Sequence, residues 1–492
     1  MNILGISSGF HDAAVTVVRA GKVRFAAHAE RYSKQKNDPF LNHELIDAAL
    51  EHGTPDIIVL HENSKAKKFR ALLSGDFNSF NELSQEDWIN EFYPQLAGIP
   101  IKSYWHHETH AAAGILTTNF QESAIMVIDA IGEFDCATIW QWKSKKLTKL
   151  HSTKFPSSLG LFYSAVTHRV GLKPNEDEYI LMGMAAYGDP NRLWNDMYEM
   201  FDYVDGPDIR YKDNLHRGCK HWKPELTTEQ DMFDIAAATQ KTYEFTLEQI
   251  LEWAKKNTKS SNLVLMGGCA LNCSANHLAY KYFDDVWIMP NPGDAGSSIG
   301  AVLAHKKEHM PMDHVYLGYN IEGDYPVEEA ISELKKTGIV GVANGRAEFG
   351  PRAFGNRSLL ADPRGNDIKS RVNDIKQRQQ FRPFAPVVLY EHAGDNFEGC
   401  YNNFMQYTSK CNHPDLYPAI THVDGTSRVQ TVGPDGSGIR QLLEAWYEAT
   451  GCPMLLNTSL NIKGKPIVNN LTDAQEFAIM YNIKVFTKAK ND

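Results

Sequence analysis

His106-His107-Glu108-Thr109-His110 runs directly into Ala111-Ala112-Ala113-Gly114. Alanine favours a helix here, and on a helix His106 and His110, four apart, share a face. Two imidazoles so placed can bind one metal ion. His107 and His110 are three apart, which leaves a second register open, and a histidine-rich surface helix without metal fits the same spacing. Asp129 closes the apolar run Ala124-Ile125-Met126-Val127-Ile128, with Glu133 and Asp135 after it. Asp294 stands in Pro292-Gly293-Asp294-Ala295-Gly296-Ser297-Ser298-Ile299-Gly300, just before a predicted helix. Carboxylates at such points bind metals or face phosphates, or simply cap the next helix. Gly267-Gly268-Cys269-Ala270-Leu271-Asn272 is a third strand-to-glycine transition, where small residues let a nucleotide or polyphosphate approach the backbone.

The C-terminal third carries a different chemistry. Arg346, Arg352, Arg357 and Arg364 fall within nineteen residues, interrupted by glycines and prolines. Such breaks put arginines on turns, where they can converge. Lys376-Gln377-Arg378-Gln379-Gln380-Phe381-Arg382 and Asn457-Thr458-Ser459-Leu460-Asn461 follow. Guanidinium forks, a lysine and hydroxyl or amide donors suit a multiply charged phosphate substrate. A network of structural salt bridges is the competing account of the same residues.

The elements that must position these groups alternate. Strands are predicted over 2–6, 13–19, 22–28, 57–61, 124–129 and 263–266, and a long helix over 228–256. This pattern indicates α/β architecture with ligands where strands end in glycine turns. Turn-rich sequence over 309–320 precedes a new helix and strand, which places a domain boundary near 325. No internal repeat is visible in the sequence.

The chain has 492 residues, 42% of them apolar, and a formal net charge of −10, against a non-specific polyanion binder. Seven cysteines, an odd number in a long chain, imply reduced thiols and no disulfide framework. Neither a signal peptide nor a membrane-length apolar run is expected, and a reducing cytoplasm is the simplest home.

Taken together, G-R-A-E-F-G-P-R-A-F-G-N-R-S, F-R-P-F-A-P, L-L-N-T-S, H-H-x-x-H and P-G-D-A-G-S-S-I-G resemble the O-carbamoyltransferase family of nodulation-factor and antibiotic biosynthesis. The resemblance spans residues 1 to about 470. It implies two domains. Residues 1–324 would form an actin-like ATPase (ASKHA) domain with the metal and transfer site. Residues 325–492 would form a smaller α/β domain resembling threonylcarbamoyl-AMP synthase (YrdC-like). The implied activity joins carbamoyl phosphate and ATP into carbamoyl-adenylate, then passes the carbamoyl group to an acceptor hydroxyl.

By that resemblance His106, His110, Asp129 and Asp294 are the metal ligands. Fe2+ is the implied ion, with Zn2+ or Mn2+ also suited to two histidines and two aspartates, and Mg2+ accompanies ATP. His11, with Asp12, is the catalytic candidate, His11 serving as general base. Lys376 and Arg382 would hold carbamoyl phosphate or adenylate, with Arg352, Arg357, Ser459 and Asn457 beside them. Gly267, Gly268 and Asn272 would line a nucleotide site in the large domain.

The chain departs from the family pattern at three positions. Asn37 stands for a histidine, which shifts weight onto His11; Ile180 stands for a lysine, which moves a nucleotide contact; Gln379 stands for a glutamate. The acceptor is expected to be a small metabolite, a sugar or a hydroxymethylated nucleotide, with no other nucleic-acid partner and no membrane; a homodimer is compatible. Two rival readings are a threonylcarbamoyl-type transferase acting on tRNA, disfavoured by the acidic charge, and a non-catalytic actin-like nucleotide-binding module, which leaves the arginine cluster without purpose.

Overall fold

A computed structural model describes residues 1–74 and 80–489. The chain forms two compact units, one of Met1–Ala29 with Asp38–Asp313, the other of Glu30–Asn37 with His314–Asp492. The division falls earlier than the expected 325. The reason is local: Phe349 N donates to Val315 O, and Tyr316–Ile321 pairs with Gly345–Glu348, so this stretch is stitched into the second unit. The short segment Glu30–Asn37 also joins that unit, which sequence order conceals.

The first unit holds two five-stranded sheets. One has β1 (Asn2–Ser7), β2 (Ala14–Arg19), β3 (Lys22–His28), β4 (Ile57–Leu60) and β5 (Ile101–Ser103) in the order β3-β2-β1-β4-β5. The other has β6 (Ser123–Ile128), β7 (Asp135–Lys143), β8 (Lys146–Lys154), β11 (Asn262–Met266) and β12 (Asp285–Ile288) in the order β12-β11-β6-β7-β8. A separate hairpin, β9 (Phe201–Asp205) and β10 (Asp208–Tyr211), lies between them in sequence. In each large sheet the first strand is central, pairs antiparallel into a meander on one side, and pairs parallel on the other. The unit is therefore a topological duplication that the sequence does not reveal. Central strands such as Ser123–Ile128 are buried along their whole length, as strands covered on both faces must be.

Helices His106–Leu116 and Ser297–Lys306 follow the outer parallel strands of the two sheets and pack on each other. Their crossing is tight because of small residues. A Cβ on Gly300 would stand 2.2 Å from Thr109 O of the partner helix, and Gly114 lets the first helix lie close on β11, a Cβ there standing 2.3 Å from Val264 Cγ1. The long helix Glu229–Thr258 starts at a capping box in which the Thr228 side chain takes Asp231 N and Asp231 reaches back to Thr228 N.

The second unit is built on a six-stranded mixed sheet in the order β21-β17-β22-β16-β14-β23. Its strands are β14 (Ile339–Ala343), β16 (Arg357–Ala361), β17 (Ala385–Leu389), β21 (Gln430–Val432), β22 (Met454–Ser459) and β23 (Val485–Phe486). Helices Val327–Thr337 and Gly438–Thr450 contribute Ala330, Leu334, Leu442 and Trp446 to its core.

Candidate functional site

The first turn of helix His106–Leu116 faces the ends of β6 and β12. Asp129 leaves β6 and Asp294 sits in the turn after β12, so four side chains far apart in sequence meet. His106, His110, Asp129 and Asp294 are all buried and form a group able to hold a metal ion. Nε2 of His106 lies 3.2 Å from Nε2 of His110, 3.2 Å from Asp129 Oδ2 and 3.4 Å from Asp294 Oδ1. Nε2 of His110 lies 3.3 Å from the same two carboxylate oxygens. Four donors at this spacing surround a point roughly 2 Å from each, the distance at which nitrogen and oxygen ligands bind a first-row divalent ion. The donor set fits such an ion.

The alternative register is excluded by packing: His107 Nδ1 turns away to Thr138 Oγ1 at 2.9 Å. Glu133, whose carboxylate takes His106 N at 3.1 Å and Asn63 N at 2.7 Å, caps this helix from outside its own chain segment. Burial by itself lowers an imidazole pKa, but Asp294 and Asp129 override it and hold His106 well above its ordinary value, with His110 raised likewise. Burial by itself raises a carboxyl, but the facing imidazoles hold Asp129 and Asp294 below the usual range. A cation held here would take the place of the imidazole protons and face the two carboxylates.

His11 sits at the tip of the β1–β2 turn. Its Nδ1 lies 3.0 Å from Asp12 Oδ2, and its Nε2 lies 3.8 Å from Asp294 Oδ2. Asp12 thus orients the ring while Nε2 faces the cluster. Asp12 reaches its neighbour by adopting φ 53°, an uncommon conformation for a residue with a side chain. Burial would lower the His11 pKa, yet Asp12, Asp294 and Asp129 raise it to about 9.

Gly267 and Gly268 bring β11 against the same cluster. A Cβ on Gly267, at φ 89°, would meet Ile128 O at 2.2 Å, and one on Gly268 would stand 3.2 Å from Asp129 Oδ1. Asn272 lies further on with its amide committed: Nδ2 donates to Gln240 Oε1 at 3.0 Å, and Oδ1 accepts from Gln240 Nε2 at 3.1 Å. These glycines shape the backbone beside Asp129, and Asn272 braces the long helix.

In the second unit Lys376 is buried, and its Nζ contacts Ser459 O and both the main-chain O and Oδ1 of Asn461, the last two at 2.9 and 3.0 Å. Burial, Arg378, Arg382 and Lys36 together hold its pKa well below the ordinary lysine range. Lys376, Ser459 and Arg382 are therefore neighbours in a positive cluster. The donors of Lys376 are met by these oxygens within the unit. Asn461 belongs to this cluster by contact.

Arg357 lies in the interior of the second unit. It is fully buried, and its guanidinium donates to the main-chain carbonyls of Asn469, Asn344, Gly345, Asn356 and Tyr319 at 2.8–3.1 Å. These bonds hold the fold together. Asn457 is also interior, its Nδ2 donating to Ala353 O at 3.0 Å and Gln430 Oε1 at 2.7 Å. Arg352 is half-buried on the loop that Asn457 supports.

Sequence reasoning missed Glu62, Lys67, Gln85 and Arg70. Arg70 donates to the main-chain oxygens of Gly132 and Glu133, and Lys67 to that of Gly9. One turn of helix Ser64–Ser74 thus grips the loops carrying Asp129 and His11. Nothing in their local sequence distinguishes them from a solvated helix face.

Residues 94–303 match the family model described as Carbamoyltransferase N-terminus, and residues 331–488 that described as Carbamoyltransferase C-terminus. The chain is 31% identical to an uncharacterized protein of Synechocystis sp., covering 96% of this chain and 93% of that protein. It is 31% identical to nodulation protein NolNO of Sinorhizobium fredii, covering 96% and 77%. It is 27% identical to the 3'-hydroxymethylcephem-O-carbamoyltransferase of Amycolatopsis lactamdurans, covering 94% of each. No helix among the described residues is long and apolar enough to cross a membrane.

Proposed function

Because the chain belongs to the carbamoyltransferase family, and is thereby a transferase, we propose that it is an ATP-dependent O-carbamoyltransferase. Water cleaves phosphate from carbamoyl phosphate, and the carbamate oxygen then attacks the α-phosphorus of MgATP, giving carbamoyl-adenylate as the bond to pyrophosphate breaks. The acceptor hydroxyl then attacks the carbamoyl carbon and AMP leaves. The second unit, read as YrdC-like, performs the first step at the cluster around Lys376, Arg382 and Ser459, with Arg352 on the adjoining loop. The first unit, read as actin-like, performs the second. The repetition of one strand order in its two sheets supports that reading.

The observation that carries the proposal is the orientation of His11, its Nδ1 on Asp12 and its Nε2 toward the four-ligand cluster. A divalent cation held by Nε2 of His106 and His110 and by one carboxylate oxygen each of Asp129 and Asp294 would supply charge at the carbonyl oxygen. Fe2+ is the ion we favour. His11 Nε2 takes the proton from the attacking hydroxyl, an effect worth about 10²–10⁴-fold. Asp12 holds the Nδ1 proton, and a cation bound beside Asp294 and Asp129 would offset the charges that raise the His11 pKa, freeing Nε2 to accept. The adenylate needs little protonation to leave, so no separate acid is required. Arginines at the other cluster, joined by Lys376 in the ammonium form that a bound phosphate favours, neutralise the phosphates of both substrates.

The acceptor we favour is a small hydroxylated metabolite, sugar or hydroxymethylated nucleotide, in the cytoplasm. The test is mass spectrometry of candidate acceptors incubated with protein, ATP and carbamoyl phosphate, with pyrophosphate release followed in parallel. A carbamoyl mass gain that needs all three is the expected result. Absence of pyrophosphate release that depends on carbamoyl phosphate, in metal-loaded protein, would overturn the proposal.

A further inference from the structure

We propose that Glu62 is a positioning residue for His11, acting through Lys67 and Gln85. This rests on the reading of His11 as the base. The ring meets Asp12, Phe10 and, at 3.8 Å, Asp294, and the main chain of the turn carries it to that place. Two carbonyls of that turn are held by side chains. Ser8 O accepts from Gln85 Nε2, and Gly9 O accepts from Lys67 Nζ at 3.3 Å. Both donors also meet one atom, Glu62 Oε1, at 3.1 Å from Gln85 Nε2 and 2.9 Å from Lys67 Nζ. A single carboxylate oxygen therefore fixes the two groups that fix the turn.

The base of this device is rigid. Glu62 follows directly on β4, where His61 N donates to Ile6 O at 3.1 Å, the residue before the β1 end. Glu62 and Gln85 are both buried. The turn lies against the network, because a Cβ on Gly9, at φ 97°, would stand 3.4 Å from Gln85 Nε2 and 3.8 Å from both Glu62 Oε1 and Lys67 Nζ. Burial would raise the Glu62 carboxyl, but Lys67 beside it holds it below its ordinary value. The group is ionised, and a buried ionised carboxylate is retained only where donors satisfy it. His61, Glu62 and His106 also lie close enough to share a metal ion. With Oε1 committed to an ammonium and an amide, Glu62 serves the turn instead.

Glu62→Ala frees Lys67 and Gln85 to move, and the ring drifts with the turn. A displacement of about 1 Å near the reacting atoms is enough for roughly 10²-fold in rate. The expected result is a fall of that size in kcat for carbamoyl transfer, with acceptor KM, bound metal and pyrophosphate release unchanged. Glu62→Gln keeps an oxygen for both donors and should recover most of the lost rate, which a bulk stability effect would not predict. Gln85→Leu, which leaves no buried charge, should show the same split between kcat and KM with little change in melting temperature. Full kcat in Glu62→Ala and Gln85→Leu, with transfer lost in His11→Ala, would refute the positioning role and leave the base intact. Transfer retained in His11→Ala would refute the base reading itself. Loss of metal from Glu62→Ala would assign Glu62 to the ion and also overturn the proposal.

Discussion

Gly300→Ala tests whether helix spacing sets the ligand geometry. The added Cβ would stand 2.2 Å from Thr109 O and 3.2 Å from Ala113 Cβ. A carbon against a carbonyl oxygen needs about 3.2 Å in a close-packed interior, so the two helices must part by about 1 Å. Thr109 lies between the two histidine ligands, and Gly300 lies on the helix that follows Asp294 closely. The gaps of 3.3–3.4 Å from the imidazoles to Asp294 Oδ1 would open by a similar amount. Metal sites tolerate only about 0.2 Å from ideal ligand distances, so the four side chains could no longer hold one ion together. Overpacking of this kind costs about 1–3 kcal/mol of stability, and metal affinity should fall by about 10²-fold or more, roughly 2.7 kcal/mol. The assay is equilibrium dialysis against buffered Fe2+ or Zn2+ with metal content read by mass spectrometry, alongside thermal melting. Gly293→Ala is the control, since a Cβ there meets nothing within 4 Å; it should bind metal as the parent does. A Gly300→Ala protein that melts lower but binds metal with undiminished affinity would refute the reasoning.

Further outcomes follow from the two sites. His110→Ala should abolish carbamoyl transfer and spare carbamoyl-phosphate-dependent pyrophosphate release, whereas Arg382→Ala should abolish both. Arg357→Met should cost about 3 kcal/mol or more in denaturant unfolding, because buried carbonyls lose their donors, and its folded fraction should still bind carbamoyl phosphate. Stripping metal with a chelator should lower the melting temperature, and restoring free metal to about 100 times its dissociation constant should return about 2.7 kcal/mol. Lys376 titrates below its unfolded value. Between the two values the unfolded chain binds more protons, so the destabilisation it causes eases as pH rises. A bound phosphate favours the ammonium, so inorganic phosphate should bind more weakly as pH rises through the depressed value. Calorimetry should find that dependence flattened in Lys376→Arg; an unchanged slope would place the titration elsewhere.

How much was legible can be read from individual residues. The spacing of His106 and His110, the strand-end place of Asp129 and the glycine-rich turn of Asp294 each left a bland account open, and the family resemblance joined the four into one implied metal-binding group. Helix period left two histidine registers open, however, and only packing against Thr138 turned His107 away. Arg357 lies in a motif that reads as phosphate-binding, and its burial among five carbonyls is a property of the whole fold that the motif does not carry. The duplication of the two sheets is invisible in sequence because strand order constrains hydrogen-bond pairing and burial, not residue identity.

The sequence by itself determined the α/β class and the residue types of both candidate clusters, and the family resemblance named the four groups that the fold brings together. Tertiary structure alone decided which of them touch. Glu62, Lys67 and Gln85 are unremarkable in their own segments and gain a role only where two turns approach. Local sequence sets what a side chain can do, while long-range packing sets its distance to a partner, and electrostatic and hydrogen-bond energies depend steeply on that distance.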